Sequence, residues 1–427
     1  MCLKAERIDL IELKLPYGMG EASFKVHENN FLGVLKPREK RGAKDPVAEI
    51  SHALENPIGT KRLREIAKRG EKVAIVIDDM TRPTPSYLML PPILSELELA
   101  DVKKEDVTVV IGTGVHRAAT RDEIVKLVGE YVSKLVKVIN HDCDAQDLVY
   151  LGKTSFGTEV CLNKDFAEAD VKILTGDVEL HPYAGYGGGR KSVVPAVAGR
   201  KTIMQNHSLF LRAEQRSRRN LVHEDMMEAA KLAKVDFILN VVLNVKNEIV
   251  KAFAGDLERA FWEGVKLVDE MYKIEVESLA DILITSAGGF PFDVNFYQSI
   301  KAVFNSINAV REGGVVVLLA ECKEGHGNEA FYECMLNFRD SKEAKEEIMK
   351  NFTVEGMIAH GFLKCLEKVN VILVSNLPKR YEKAFKLRIV DEVASALKIA
   401  FDIIGKDAKV YVVPHGSKTG ITVKGSN

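Results

Sequence analysis

Residues 73–85 read VAIVIDDMTRPTP. The opening run, Val73–Ile77, is apolar and mostly β-branched with no polar alternation, which describes a strand buried on both faces, as in a parallel sheet. Two aspartates and a Thr-Arg-Pro turn stand at its carboxyl end. The same form recurs outward from it. Val107–Ile111 (VTVVI), Val171–Leu174 (VKIL), Asp281–Thr285 (DILIT), Val315–Leu319 (VVVLL) and Val369–Val374 (VNVILV) read as further buried strands. The segments between them are helix-like and have legible ends. In Thr120–Glu123 (TRDE) the capping-box spacing opens a helix, Ile124, Leu127 and Val128 make its apolar face, and Gly129 ends it. Strands alternating with helices predict an α/β chain, here two Rossmann-like doubly wound domains with the active site in the cleft between them.

The boundary is expected near residues 272–280, after a long helix over Asp256–Met271. A cofactor-binding domain then spans 1–275 and a second α/β domain 276–406. The last strand, Val410–Val413, and the rest of 407–427 are expected to return to the first domain. A length of 427 residues suits two or three domains of roughly 150 residues.

Composition excludes several classes. Lys plus Arg is 60 and Asp plus Glu 61, so the net charge of -1 gives no bulk attraction to nucleic acid or to an anionic membrane. The N-terminus, MCLKAERIDLIELK, breaks its apolar residues with charges and lacks the run of a signal peptide. Apolar stretches such as Gly314–Ala320 are strand length, far short of the roughly 20 residues of a spanning helix. Cysteines at 2, 143, 161, 322, 334 and 365 form no Cys-x-x-Cys pair, which argues against a zinc ribbon or a disulfide scaffold and makes a reducing cytoplasm the default.

Four strands end in polar loops. Ile77 is followed by Asp79, Thr81 and Arg82. After Ile111 comes GTGVHR, with His116 and Arg117. TGDVELHPYAGYGGGRKS after Leu174 brings His181, Arg190 and Lys191. The Asp281 strand leads into TSAGGFPFDVNFYQSIK, with Gln298 and Lys301. Parallel sheets bind ligands at the carboxyl ends of strands, where such loops share one edge. Taken singly, each has a bland reading: Gly-Thr-Gly as a tight turn, a loop histidine as a cap, Arg82-Pro83 as a salt-bridged turn. Histidines 27, 52, 141, 223, 326, 360 and 415 are assigned by default to surface or structural roles.

Ala184–Gly199 (AGYGGGRKSVVPAVAG) is the most informative of these stretches. Gly185, Gly187, Gly188 and Gly189 permit backbone that turns amides toward a phosphate, and Arg190 and Lys191 add charge. A nucleoside-triphosphate loop needs lysine directly after its last glycine, and here Arg190 intervenes. No G-x-G-x-x-G opens a helix after a strand, so the dinucleotide pattern fails as well. The loop suits one phosphate, beside a lysine able to form a covalent bond. His207, in GRKTIMQNHS, has no cluster of His, Cys or carboxylates near it in sequence, which makes an ordinary protein metal site a poor explanation.

These residues resemble the nickel-dependent lactate racemase family of 2-hydroxy acid racemases and epimerases. The likeness runs over nearly the whole chain, through Asp79–Pro85 (DxTRPxP), Thr113–Arg117 (TGxHR), His181–Ser208 (HPYAGYGGGRKSVVPAVAGRKTIMQNHS) and Gly288–Lys301 (GGFPFDVNFYQSIK). It implies inversion at C2 of a 2-hydroxy carboxylate by proton-coupled hydride transfer to a nickel pincer nucleotide, Ni(II)-pyridinium-3,5-bisthiocarboxylic acid mononucleotide. Lys191 would hold that group covalently as a thioamide, and His207 would be nickel's protein ligand. Asp79, Met80, Thr81, Arg82, Gly188, Gly189 and Ser192 would surround it. His116 and His181 match the paired acid/base histidines, Arg82 the carboxylate clamp, and Gln298 and Lys301 substrate contacts. A mononucleotide would explain a phosphate loop that fits neither ATP nor NAD, and cofactor sulfurs would explain a solitary metal histidine.

One position departs from the lactate enzymes. Where they carry a tryptophan near the substrate, alignment of Thr353–Leu366 puts Met357, with His360 one turn later, read as solvent-facing or as facing a polar substrate tail. A longer 2-hydroxy acid or an aldonate, giving a sugar acid 2-epimerase, is therefore an alternative. From another class, the Gly-rich loop leaves a nucleotide-dependent transferase, and a carrier of a nickel cofactor is a further reading. Expected partners are the small-molecule substrate and proteins that make and deliver the cofactor, with a homo-oligomer possible and no nucleic acid or membrane.

Overall fold

The computed structural model describes residues 9–212 and 220–424. The chain divides into two units, one of residues 39–271 and the other of residues 1–38 with 272–427.

In the 39–271 unit a six-stranded sheet runs in the order Ile249–Gly255, Phe237–Leu243, Val171–Asp177, Val73–Asp78, Val107–Gly112, Lys137–Asn140. Val73 pairs in parallel with Val107 on one side and Val171 on the other. The Val73 and Val171 strands bury nearly every residue, as their unbroken Val/Ile runs predict. Only the edge strand Ile249–Gly255 is antiparallel. Residues 244–248 are too few for a crossover, and Asn244 closes them as a turn by accepting from the Lys246 and Glu248 amides. Strand valines and isoleucines pack on one face against Ile50, Leu54, Met89, Leu90 and Ile93. The Thr120 capping box forms as read, on a helix over Arg121–Val128 that ends at Gly129 with φ 83°.

The other unit has a six-stranded, all-parallel sheet ordered Arg388–Val390, Asn370–Val374, Val310–Leu319, Ala280–Ser286, Val410–Val413, Phe31–Val34. This corrects the expected boundaries at both ends of the chain. Residues 407–427 do not return to the first domain, because Val410–Val413 pairs directly with Ala280–Ser286. Residues 9–38 also leave the first domain: Phe31–Val34 extends the sheet beside Val410–Val413. An antiparallel hairpin, Leu10–Tyr17 with Gly20–His27, inserts Leu15, Phe24 and Val26 into the core formed by Ile282, Val317 and Val412. Its period-two alternation, one face apolar, is the signal for that packing.

Cys143, Cys161, Cys322, Cys334 and Cys365 are free thiols, and Cys2 lies outside the described residues. Among the described residues no helix is long and apolar enough to cross a membrane.

Candidate functional site

In the 39–271 unit the chain leaves the Val73 strand toward Val107 on one side, and Val171 returns on the other. The carboxyl ends of these two neighbours diverge, leaving the crevice where open α/β sheets bind ligands. Both strands end in a carboxylate, Asp78 and Asp177. The Thr84 hydroxyl lies 2.6 Å from Asp78 Oδ2 and 2.8 Å from Asp177 Oδ1. A hydroxyl donates one hydrogen, so one of the two contacts requires a protonated carboxyl. Burial raises both acids, and the nearby Glu179 charge helps push Asp177 up to about 7. Arg82 is half-buried beside them, 3.8 Å from Glu179. Burial works against its charge, yet Glu179, Asp78 and Asp177 outweigh burial and hold it above its ordinary value.

Asp79 turns the other way. Its Oδ1 accepts from the Thr81 amide at 2.9 Å and hydroxyl at 2.6 Å, and its Oδ2 lies 2.7 Å from His116 Nδ1. Burial favours the neutral acid, but the bonds from His116 and Thr81 win and lower its pKa. An ionised carboxylate only accepts, so His116 carries a hydrogen on Nδ1, and the neutral ring then has its lone pair on Nε2. The His116 side chain is 49% exposed. Its neighbour Arg117 pairs with Glu123 on the next helix instead. Met80 is exposed at the tip of the loop.

The Gly-rich loop is built differently from a phosphate cradle. Arg190 is fully buried, and its guanidinium donates to the carbonyls of Ala184, Tyr186, Gly187 and Gly188 while lying 4.5 Å over the Phe261 ring. With burial dominating, its pKa falls to about 9. Arg190 thus ties the loop together from inside, and its charge is not aimed at a ligand. Gly189, expected to offer its amide to the cofactor, donates it to Asn240 Oδ1 at 3.0 Å. At Gly188, with φ 74°, a Cβ would stand 2.9 Å from the Asp177 carbonyl, so its glycine serves close backbone packing. The Ser192 hydroxyl donates to the Thr175 carbonyl at 2.9 Å. These three positions hold Lys191 between them in the loop.

Lys191 is 8% exposed. Burial, then the Arg82 charge, lowers its pKa to about 7, with Glu179 and Asp78 opposing. An amine near neutrality is a nucleophile. His207 lies on the helix Arg200–Arg212 and is 2% exposed. Burial and the Lys191 ammonium depress its imidazole to about 3. Both side chains are thus buried, and the Lys191 charge is felt at the His207 ring. Between His207 and His181 stands Tyr183, its ring centroid 5.2 Å from the first and 4.3 Å edge-on from the second. The Ala184 amide donates to His181 Nδ1 at 3.3 Å, so in this geometry the ring hydrogen of His181 sits on Nε2. Asp142, Cys143 and Asp144 form the sole group of three metal-capable side chains among the described residues, and it does not include His207.

In the other unit, Lys301 Nζ lies 2.8 Å from Gln298 Oε1, across the joint between the Phe296–Ser299 and Lys301–Ser306 helices. Asn295 caps the first of these through the Gln298 amide. Met357 is buried on the Val354–Lys368 helix. His360 is neither solvent-facing nor turned to a substrate tail: it is buried, with Nδ1 2.8 Å from the Ser341 carbonyl, which clasps two helices together. Its desolvation accordingly lowers its pKa.

Sequence reading passed over Asp78, Thr84, Asp177, Glu179 and Tyr183. The signal was available for the two aspartates, each closing a buried apolar run at a strand's carboxyl end. Their adjacency depends on strand order, which no local pattern carries.

Residues 17–219 match the family described as the lactate racemase N-terminal domain, and residues 276–421 match the lactate racemase C-terminal domain. The chain is 34% identical over 423 residues to the lactate racemase of Thermoanaerobacterium thermosaccharolyticum, which covers 95% of this chain and 98% of that protein. It is 32% identical over 429 residues to the lactate racemase of Lactiplantibacillus plantarum, covering 97% and 100%. The structure of the T. thermosaccharolyticum lactate racemase apoprotein superposes with a TM-score of 0.89 at 33% identity, over 96% of this chain and all of that one. A crystal structure of a Thermotoga maritima protein superposes at a TM-score of 0.67 with 17% identity over 90% of this chain, a likeness of fold alone. With both of its halves matched and relatives aligned end to end, the chain belongs to the lactate racemase family.

Proposed function

We propose that this protein is an isomerase that inverts C2 of a 2-hydroxy carboxylate, with Lys191 and His207 holding a nickel pincer nucleotide. The observation that carries this reading is that both side chains are buried and that the Lys191 charge acts on the His207 ring. The residues fit such a group. A desolvated amine suits covalent attachment, and a lone neutral imidazole suits a metal whose other donors come from the cofactor. When bound, the group supplies a hydride acceptor, which spares the substrate a carbanion beside its carboxylate.

The chain's own residues handle the proton and the carboxylate. His116, oriented by Asp79, presents Nε2 to accept the hydroxyl proton, while His181 starts with hydrogen on Nε2. For the pair to work, one ring is neutral and takes the hydroxyl proton while the other is imidazolium and returns one to the carbonyl oxygen. His181 must therefore first take up a proton on Nδ1 in place of its contact with the Ala184 amide. Arg82, kept charged by Glu179, Asp78 and Asp177, is the carboxylate clamp. Gln298 and Lys301 are further substrate contacts, and Met357 admits a longer 2-hydroxy acid or an aldonate as an alternative substrate. A nucleotide-dependent transferase is disfavoured, since the Arg190 guanidinium is consumed by the loop's own carbonyls and the Gly189 amide by Asn240. The surroundings of this activity would be cytoplasmic, with separate proteins making and delivering the cofactor.

The test is a panel of D- and L-2-hydroxy acids, lactate and aldonates included, offered to protein from a host that makes the cofactor. His116→Ala and His181→Ala should keep nickel yet lose on the order of 10²- to 10⁴-fold in interconversion. Full activity in both variants would remove the acid/base assignment. Deuterium retained at C2 supports internal hydride transfer, whereas complete exchange with solvent refutes it.

A further inference from the structure

The imidazole of His207 adjoins Asn206, a neighbour on the same helix that is fully buried. Asn206 Oδ1 lies 3.1 Å from His207 Nδ1. Which end of the amide faces the ring is decided on its other side. Asn206 Nδ2 stands 3.1 Å from the Val222 carbonyl and 2.7 Å from Asp225 Oδ2. Both are acceptors, so a flipped amide would set oxygen against two oxygens. The NH2 end must point at Val222 and Asp225, and the oxygen must point at the ring.

Asp225 is itself fixed. It is fully buried, at the centre of the Leu221–Leu232 helix. Its Oδ1 accepts from the Thr154 hydroxyl at 2.5 Å, and its Oδ2 accepts from the Thr158 hydroxyl at 2.8 Å as well as from Asn206. The threonines come from the turn between the antiparallel strands Val149–Lys153 and Glu159–Leu162. Three separate segments thus converge on an amide that touches one histidine nitrogen.

We infer that Asp225 and Asn206 act as a positioning relay that keeps hydrogen on Nδ1 of His207 and reserves Nε2 as its donor atom. An acceptor fixed at Nδ1 is satisfied by an N–H there, leaving Nε2 as the atom with an open lone pair. The Ile203 carbonyl, one turn earlier, is a further backbone acceptor acting on the ring. The relay adds a choice of tautomer made before any metal arrives. Its use to nickel rests on the reading of His207 as the ligand; the tautomer itself does not.

Nitrogen chemical shifts of the full-length apoprotein, labelled with 15N-histidine, test the inference without any loaded enzyme. The His207 signal, assigned by its absence in His207→Gln, should show a protonated Nδ1 and a lone-pair Nε2. In Asn206→Ala the ring should move toward the Nε2–H form. A wild-type ring with hydrogen on Nε2 overturns the relay with no variant needed, and an unchanged ring in Asn206→Ala overturns it in favour of Ile203 alone. Nickel retention in cofactor-loaded protein should fall roughly 10- to 100-fold in Asn206→Ala, as for other outer partners of metal-binding histidines. Undiminished nickel in His207→Gln would refute the ligand reading while leaving the tautomer measurement to stand or fall by itself.

Discussion

Each six-stranded sheet has a switch point, but the two are finished in opposite ways. In the 39–271 unit the diverging ends carry Asp78, Asp177 and Lys191, which burial drives from ordinary protonation, and Arg82, whose charge the neighbouring acids sustain. In the other unit the corresponding end, after Ala280–Ser286, is closed by the chain's own N-terminal hairpin. The Ser286 hydroxyl donates to the Pro16 carbonyl, and Asp293 accepts the Gly18 amide at 2.6 Å and the Glu321 amide at 3.3 Å. One end keeps titratable groups displaced by burial; the other spends Ser286 and one oxygen of Asp293 on backbone, leaving Asp293 Oδ1 and Thr285 Oγ1 without a hydrogen-bond partner among the described residues. The difference teaches that a shared topology marks where a site can lie, and that titration displaced by burial marks where one was built.

Lys191→Ala should break the first end completely: covalent loading disappears, and intact mass lacks the adduct. An adduct that persists would move the attachment elsewhere. Next in size is Arg190→Met, which strands the loop carbonyls of Ala184, Tyr186, Gly187 and Gly188. It should cost about 3 kcal/mol in urea unfolding and lower loading only indirectly. Loss of loading with no loss of stability would instead make Arg190 a ligand contact. Asp293→Asn, at the quieter end, should cost about 2 kcal/mol and leave loading of the folded protein untouched. A loss of loading as deep as that of Lys191→Ala would erase the contrast between the two ends.

The smallest effects are in the pH dependence of stability. Lys191 titrates near 7 when folded and near 10.5 when unfolded. Between those values the unfolded chain binds the extra proton, so this group makes stability rise with pH across that window. Asp177 has the opposite sign. Its folded value of about 7 exceeds its ordinary value of 3.8, so the folded state holds the proton and stability falls as pH rises between them. Lys191→Met should remove the upper slope and Asp177→Asn the lower one, each read from urea midpoints at stepped pH. Slopes unchanged in both would show that neither group is displaced from ordinary titration.

Much of the fold was legible because its signals are local. The Val/Ile runs at 73, 107, 171, 281 and 315 all became strands, and the Thr120 box capped its helix. The N-terminal segment was misassigned because its partner, Val410–Val413, lies almost the whole chain away. Of the site, the loops bearing Asp79, His116, His181 and Lys191 could be named from their places after strands. The role of Arg190 could not, since a guanidinium beside a lysine looks like an anion site until its acceptors are known to be the loop's own carbonyls. His360 failed likewise, as the Ser341 carbonyl that holds it belongs to another helix.

Residue order alone determined which strands form, which loops follow them and which side chains those loops carry, because such properties depend on periods of two to four residues. Tertiary structure decided which carboxylates became neighbours, which cations lost their water and which nitrogen of His116 or His207 carries hydrogen. Those outcomes depend on desolvation and on hydrogen-bond partners brought from distant segments, and neither exists until the sheet has closed around them.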